Sequence, residues 1–222
     1  MNNCEYFNKE NIINEIKLFL VKTIDKNSIY NEFSFQYEFG IYLRDKLEKY
    51  GYRVEFERNI EYFNLKKEDY EKKEIDICVY KKDNDFKEKY AFELKYPAHK
   101  YYIKDKTKKM SGEYPMRMFQ FIKDIKFIQE LKNKGNFTKT FSIVLVDDRL
   151  FYENGITNRK KNLNVVYKYF RENNSLMGNF EFKYNGEVKS IDLGNYKYDI
   201  EWNKIYENNE SRFYVVESKN NK

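Results

Sequence analysis

Residues 74–97 read EIDICVYKKDNDFKEKYAFELKYP. Two short apolar runs, Ile75–Tyr80 and Tyr90–Tyr96, flank a charged connector, which is the pattern of a β-hairpin. The charges inside the runs are the unusual part. Asp76 lies within the first run, and Glu93 and Lys95 lie within the second. Side chains two apart in a strand share a face. Glu93 and Lys95 therefore project with Ala91 from one side, and Phe92, Leu94 and Tyr96 turn toward a core on the other. A carboxylate among Ile, Val and Phe is costly unless something offsets it. A surface ion pair between Glu93 and Lys95 is the ordinary explanation, but Asp76 on the preceding strand brings a third ionisable group to the same hairpin.

Two carboxylates that converge can share a divalent cation, and an ammonium beside them can steady an anion or a water. That is a donor set suited to Mg²⁺-assisted phosphodiester cleavage, with hard oxygen ligands, retained waters and the substrate phosphate completing the shell. Asp76 followed 17 residues later by Glu93-Leu94-Lys95 resembles the D…(D/E)-x-K signature of the PD-(D/E)XK nuclease superfamily, the restriction-endonuclease-like fold. The superfamily core runs helix, three-stranded meander, helix, strand, and residues 30 to 150 offer those elements in that order. One departure is that Ile75, not Pro, precedes Asp76.

The resemblance implies an α/β fold with a mixed central β-sheet flanked by helices, to which the residues after Gly178 add a C-terminal β-rich appendage. It implies Mg²⁺ or Mn²⁺ as cofactor, held by Asp76, Glu93 and the Leu94 carbonyl. Lys95 would orient or deprotonate the attacking water. In the superfamily the first core helix often carries a Glu that reaches the site; Glu38 is the best match and Glu32 the second. The second helix sometimes supplies a polar group, and Gln120 is the candidate. The implied partner is DNA.

Around the hairpin, the 222 residues are enough for one domain. Hydrophobic residues make up 41 %, with 22 Tyr and 19 Phe, which is ample for a core. The net charge of +6 suits a nucleic-acid partner, although Lys is abundant everywhere in this chain. Two cysteines, Cys4 and Cys78, argue against a disulfide framework. A single histidine, His99, excludes a Cys/His zinc site and gives no support to Ser-His-Asp or Cys-His chemistry. No signal peptide or membrane span is legible, so the expectation is a soluble cytoplasmic protein.

Ile12, Ile13, Ile16, Phe19, Leu20 and Ile24 predict an amphipathic helix over 9–24. A second runs from Glu32 to Tyr50 and stops at Gly51, with Phe35, Phe39, Leu43 and Leu47 on its buried stripe. Tyr52–Ile60 alternates as a half-buried strand, in which Glu57 is a surface position or a further acid near the site. Residues 61–73 are charged and irregular. After Pro97, Lys100, Lys104, Lys106, Lys108 and Lys109 alternate with tyrosines, the composition of either a phosphate-contacting loop or a solvated one. Pro115 opens a helix to about Lys134, with Met118, Ile122, Ile125 and Ile128 inward and Gln120, Lys123 and Asp124 on its other sides.

Thr140–Val146 is near-continuously apolar and reads as a central strand. Asp147-Asp148 ends it; two adjacent acids at a strand end could bind a metal, but a turn is the commoner explanation, and Leu163–Phe170 reads as a short helix. Phe180–Tyr184, Asn185-Gly186 and Glu187–Leu193 predict a hairpin with a type I′ turn, followed by strands over Tyr196–Tyr206 and Arg212–Glu217. The resulting organisation is an N-terminal helix over 1–29, a core over 30–177 and a C-terminal β extension over 178–222, which is open to substrate recognition or to pairing as a homodimer. Two other readings stay open from the residues alone. One is a nucleic-acid-binding protein without catalysis. The other is an interaction domain in which Asp76, Glu93 and Lys95 never meet.

Overall fold

The computed structural model describes residues 6–26, 28–81, 86–97, 114–153, 170, 175–184 and 187–219. Helix α1 (Lys9–Thr23) begins where the Asn8 side chain accepts the Asn11 N–H at 2.8 Å. It buries Ile12, Ile16, Phe19 and Leu20, the stripe predicted by their spacing. Helix α2 (Glu32–Leu47) opens on a reciprocal cap: Asn31 Oδ1 accepts the Ser34 N–H and Ser34 Oγ accepts the Asn31 N–H. A 3₁₀ turn over Glu48–Tyr50 follows, and Gly51 ends it in the left-handed region at φ +80°.

The central sheet has six strands in the order β1-β2-β3-β4-β10-β9. Strands β1 (Tyr52–Asn59), β2 (Glu74–Lys81) and β3 (Lys89–Lys95) form an antiparallel meander. Helix α3 (Tyr114–Asn133) then crosses over, and β4 (Lys139–Val146) lies parallel to β3, with Glu93 beside Ser142. β4 is buried along almost its whole length, as its apolar run requires. On one face Tyr90, Phe92, Leu94, Phe141, Ile143 and Leu145 join a core with α1 and α2. On the other, α3 covers Cys78, Ala91 and Val144.

The C-terminal region corrects the reading of residues 178–222 as an appendage. Strands β5 (Ser175–Leu176) and β8 (Tyr198–Asp199) pair with each other, and β6 (Asn179–Tyr184) with β7 (Glu187–Asp192) makes the predicted hairpin. The turn between them, at residues 185–186, lies outside the described residues, as does the expected helix from 163 apart from Phe170. The expected single strand over Tyr196–Tyr206 is instead β8 and a separate short strand, β9 (Asn203–Lys204). Strand β10 (Arg212–Glu217) does not belong to an extension: it inserts between β4 and β9 in the central sheet. Its alternating RFYVVE offers apolar side chains to both faces, so a buried slot beside β4 suits it better than an exposed one.

No helix among the described residues is long and apolar enough to cross a membrane. Cys78 is buried and free, and burial pushes its thiol pKa upward; Cys4 and His99 lie outside the described residues.

Candidate active site

The sheet comes apart at Asp76. The β1–β2 register is continuous from Tyr52↔Lys81 to Phe56↔Ile77, skips the position where Glu57 would face Asp76, and resumes at Arg58↔Ile75. Glu57 sits in the left-handed region at φ 48°, which turns its backbone out of the ladder. On the other side the β2–β3 register runs to Ile77↔Phe92 and stops before Asp76 and Glu93 would pair.

Backbone groups freed in this way need partners, and side chains supply them. Gln36 Nε2 on α2 donates to the Asp76 carbonyl at 2.8 Å and to Glu57 Oε1 at 2.6 Å. The Asp76 N–H donates to Glu93 Oε1 at 3.2 Å, and the Leu94 N–H donates to Asp76 Oδ2 at 2.7 Å. The split is thus held open by the same acids that the hairpin motif singled out.

Asp76, Glu93 and Lys95 converge. They are joined by two residues that the sequence reading did not place at a site, Lys72 and Asp124. The Lys72 ammonium makes an ion pair with Glu93 Oε2 and lies 3.2 Å from Asp124 Oδ1 and 3.7 Å from Asp76 Oδ1. Lys95 Nζ lies 2.7 Å from Glu32 Oε1, 3.7 Å from Asp124 Oδ2 and 3.4 Å from the Leu94 carbonyl. Glu93 is fully buried and Asp124 is 2 % exposed. Asp124 Oδ2 accepts no hydrogen bond from any described residue.

Burial pushes the Asp76 carboxyl up to about 6, against the pull of Lys72 and Lys95. Burial, with Asp76 as neighbour, drives Glu93 well above the usual carboxylate range. Burial alone would lower the Lys72 and Lys95 ammoniums, but the surrounding acids raise both above their ordinary values. The surrounding acids thus favour the charged form of both lysines.

Each element has a reason to be present. Lys95 continues the parity of Ala91 and Glu93 on the α3-facing side of β3, as their spacing predicts. Asp124 enters from α3 one turn after Gln120, which is itself exposed and takes no part. Glu32 belongs to the first turn of α2, and Gln36 follows it on the same helix face. Glu38 corrects the expectation for this helix: it lies roughly 120° around the helix axis from Glu32, and Glu32 is the acid that reaches Lys95. Among the described residues, Glu57 reaches the site through its contact with Gln36. The lysines at 100, 104, 106, 108 and 109 lie outside the described residues. Asp148 caps a short turn by accepting the Leu150 N–H, as expected of a strand-ending pair, while Asp147 is buried and accepts the Tyr96 hydroxyl at 3.3 Å.

Among the described residues no group of three or more His, Cys, Asp or Glu is arranged to hold a metal ion as it stands. The three carboxylates are spaced around the Lys72 ammonium instead. Their chemistry nevertheless fits a hard divalent cation: two buried carboxylates and the partly exposed Asp76, a nearby main-chain carbonyl at Leu94, and one carboxylate oxygen on Asp124 without a hydrogen bond. No protein-family model, curated protein or solved structure matches this chain.

Proposed function

We propose that this chain is a metal-dependent nuclease that hydrolyses DNA phosphodiester bonds, on a restriction-endonuclease-like core. The observation that carries the reading is the meeting of Asp76, Glu93 and Lys95 at the point where β2 parts from its neighbours. The order helix, antiparallel meander, crossover helix and parallel fourth strand supports it as well.

Asp76, Glu93 and Asp124 would hold a Mg²⁺ or Mn²⁺ ion, with the Leu94 carbonyl in reach. Such an ion supplies Lewis acidity toward a phosphoryl oxygen and lowers the pKa of a bound water. The protein's contribution is positional. The Leu94 N–H fixes Asp76 Oδ2 and leaves Oδ1 directed at the cluster. The Lys95 ammonium, oriented by Glu32, places a fixed positive charge beside the acids, where it steadies a hydroxide or the charge that develops on phosphate oxygens. Gln36 locks the backbone of Asp76.

The test is cleavage of single-stranded DNA, double-stranded DNA and RNA by the purified protein with Mg²⁺ or Mn²⁺, alongside Asp76→Ala, Lys95→Ala and Asp124→Asn. The expected result is metal-dependent cleavage of DNA that falls by about 100- to 1000-fold in each variant. Wild-type protein that binds DNA without cutting it, with variants that bind equally well, would overturn the catalytic reading.

A further inference from the structure

Lys72 stands where the acids converge, and nothing in the proposed chemistry requires a second lysine there. Its ammonium contacts Glu93, Asp124 and Asp76, which are the carboxylates assigned to the metal. We propose that Lys72 is the resident counter-cation of this cluster and exchanges with the divalent ion, so that competition from its ammonium sets the metal affinity of the site. The inference rests on the metal-site part of the proposed function, and not on the nuclease part.

Charge favours the exchange. Among the described residues, four carboxyl groups, Asp76, Glu93, Asp124 and Glu32, lie against two ammoniums, so the cluster holds more acidic groups than cations. A divalent ion in place of the Lys72 ammonium brings one more positive charge to these acids and favours their ionised forms. Asp124 Oδ2 leaves a position for a ligand to fill, since it is buried and receives no hydrogen bond, with Lys95 Nζ 3.7 Å away. A monovalent ammonium satisfies only part of what the three acids offer, and buried charge is costly unless compensated.

The placement of Lys72 makes the exchange feasible. The segment that carries it is pinned to α3: the Glu71 N–H donates to Glu130 Oε2 at 2.7 Å, Lys123 pairs with Glu71 at 3.0 Å, and Lys134 Nζ donates to the Asp69 carbonyl at 2.7 Å. The Lys73 carbonyl accepts the Ile60 N–H at 3.0 Å. The backbone need not move. The Lys72 side chain is 22 % exposed, so its flexible stem already reaches the surface, and a change of rotamer carries the hydrated head outward. Lys95 differs: it belongs to a strand paired with β4 through Val144 and is held by Glu32, so it stays.

Two measurements on the full chain test this. The first is calorimetric titration with Mn²⁺ of wild type, Lys72→Met, and Lys72→Met combined with Glu93→Gln. Lys72→Met should bind at least about tenfold more tightly than wild type, equivalent to about 1.4 kcal/mol, and the added Glu93→Gln should abolish that gain. The second uses wild type alone and is independent of how the variant folds. The acetylation rate of Lys72, read by mass spectrometry, should rise at least about fivefold as Mg²⁺ is added, with Lys134 as the unaffected reference. If Lys72→Met binds Mn²⁺ no more tightly than wild type, or if Lys72 stays as slow to acetylate with metal as without it, the exchange is overturned. Cleavage enters neither readout. Exchange in a protein that cuts no nucleic acid would retire the nuclease reading and keep the metal–lysine site, and cleavage without exchange would do the reverse.

Discussion

On one face of β3, Phe92 stacks against Phe141 at 5.2 Å between ring centroids and meets Phe39 edge-on at 6.1 Å. On the other face, one residue along, Glu93 is as fully buried as Phe92 but is surrounded by Lys72, Asp124 and Asp76. The same strand supports a dry aromatic core and a buried ionic cluster about a side chain's width apart. The aromatic face gains free energy from every contact. The ionic face repays desolvation only while its partners are complete. The first face makes the fold stable; the second accepts strain that the first can support.

The comparison can be broken most directly on the aromatic side. Phe92→Ala should cost about 3–5 kcal/mol in denaturant unfolding, because Phe7, Phe39 on α2 and Phe141 on β4 all lose contacts.

On the ionic side the effect depends on how many partners are removed. Lys72→Met alone should cost about 2–3 kcal/mol in metal-free buffer, at or below the usual range for a broken buried pair because Lys72 is partly solvated. Lys72→Met with Glu93→Leu should restore wild-type stability or exceed it, since apolar replacement of a buried pair is often neutral or better. A double variant as damaged as the single one would mean that the ionic face stabilises the fold after all.

Gly40 sharpens the picture at the helix interface. A Cβ there would lie 2.1 Å from the Phe56 ring, so Gly40→Ala should cost about 1–3 kcal/mol as that ring is displaced. The smallest effect belongs to the first turn of α2. Glu32 is 45 % exposed, so Glu32→Gln should change stability by less than about 1 kcal/mol. It should slow cleavage measurably all the same, whereas Glu38→Gln should slow nothing.

The elements of this fold were largely legible because local rules govern them. Helical spacing marked α1 and α2, Gly51 marked the end of the 3₁₀ turn that follows α2, and period-two alternation put Glu93 and Lys95 on one face. Asp124 was passed over as an outward polar position. Yet Phe121, Asp124, Ile128 and Leu131 follow a three-four-three spacing, so Asp124 fills a slot in an otherwise apolar stripe. That was a readable signal of a buried acid. Lys72 left no such signal: its place is set by contacts between an irregular segment and a helix about fifty residues later, and no local pattern encodes that. Glu38 was preferred over Glu32 for want of the helix's rotation about its axis, which only packing on the sheet decides. Strand β10 read as a strand but not as a central one, because a run that is apolar on both faces does not name its neighbours.

That position of β10 also bears on how the chain is made. β4 ends at Val146, and its second neighbour is complete only at Glu217. At synthesis rates of about 5–20 residues per second, the interval is roughly 4–14 s. Through it, the apolar edge of β4 stands without its final partner, open to a strand of a neighbouring nascent chain. On crowded polysomes, the yield of soluble protein should therefore depend on how quickly translation passes residues 147–217, and synonymous slow codons there should lower it.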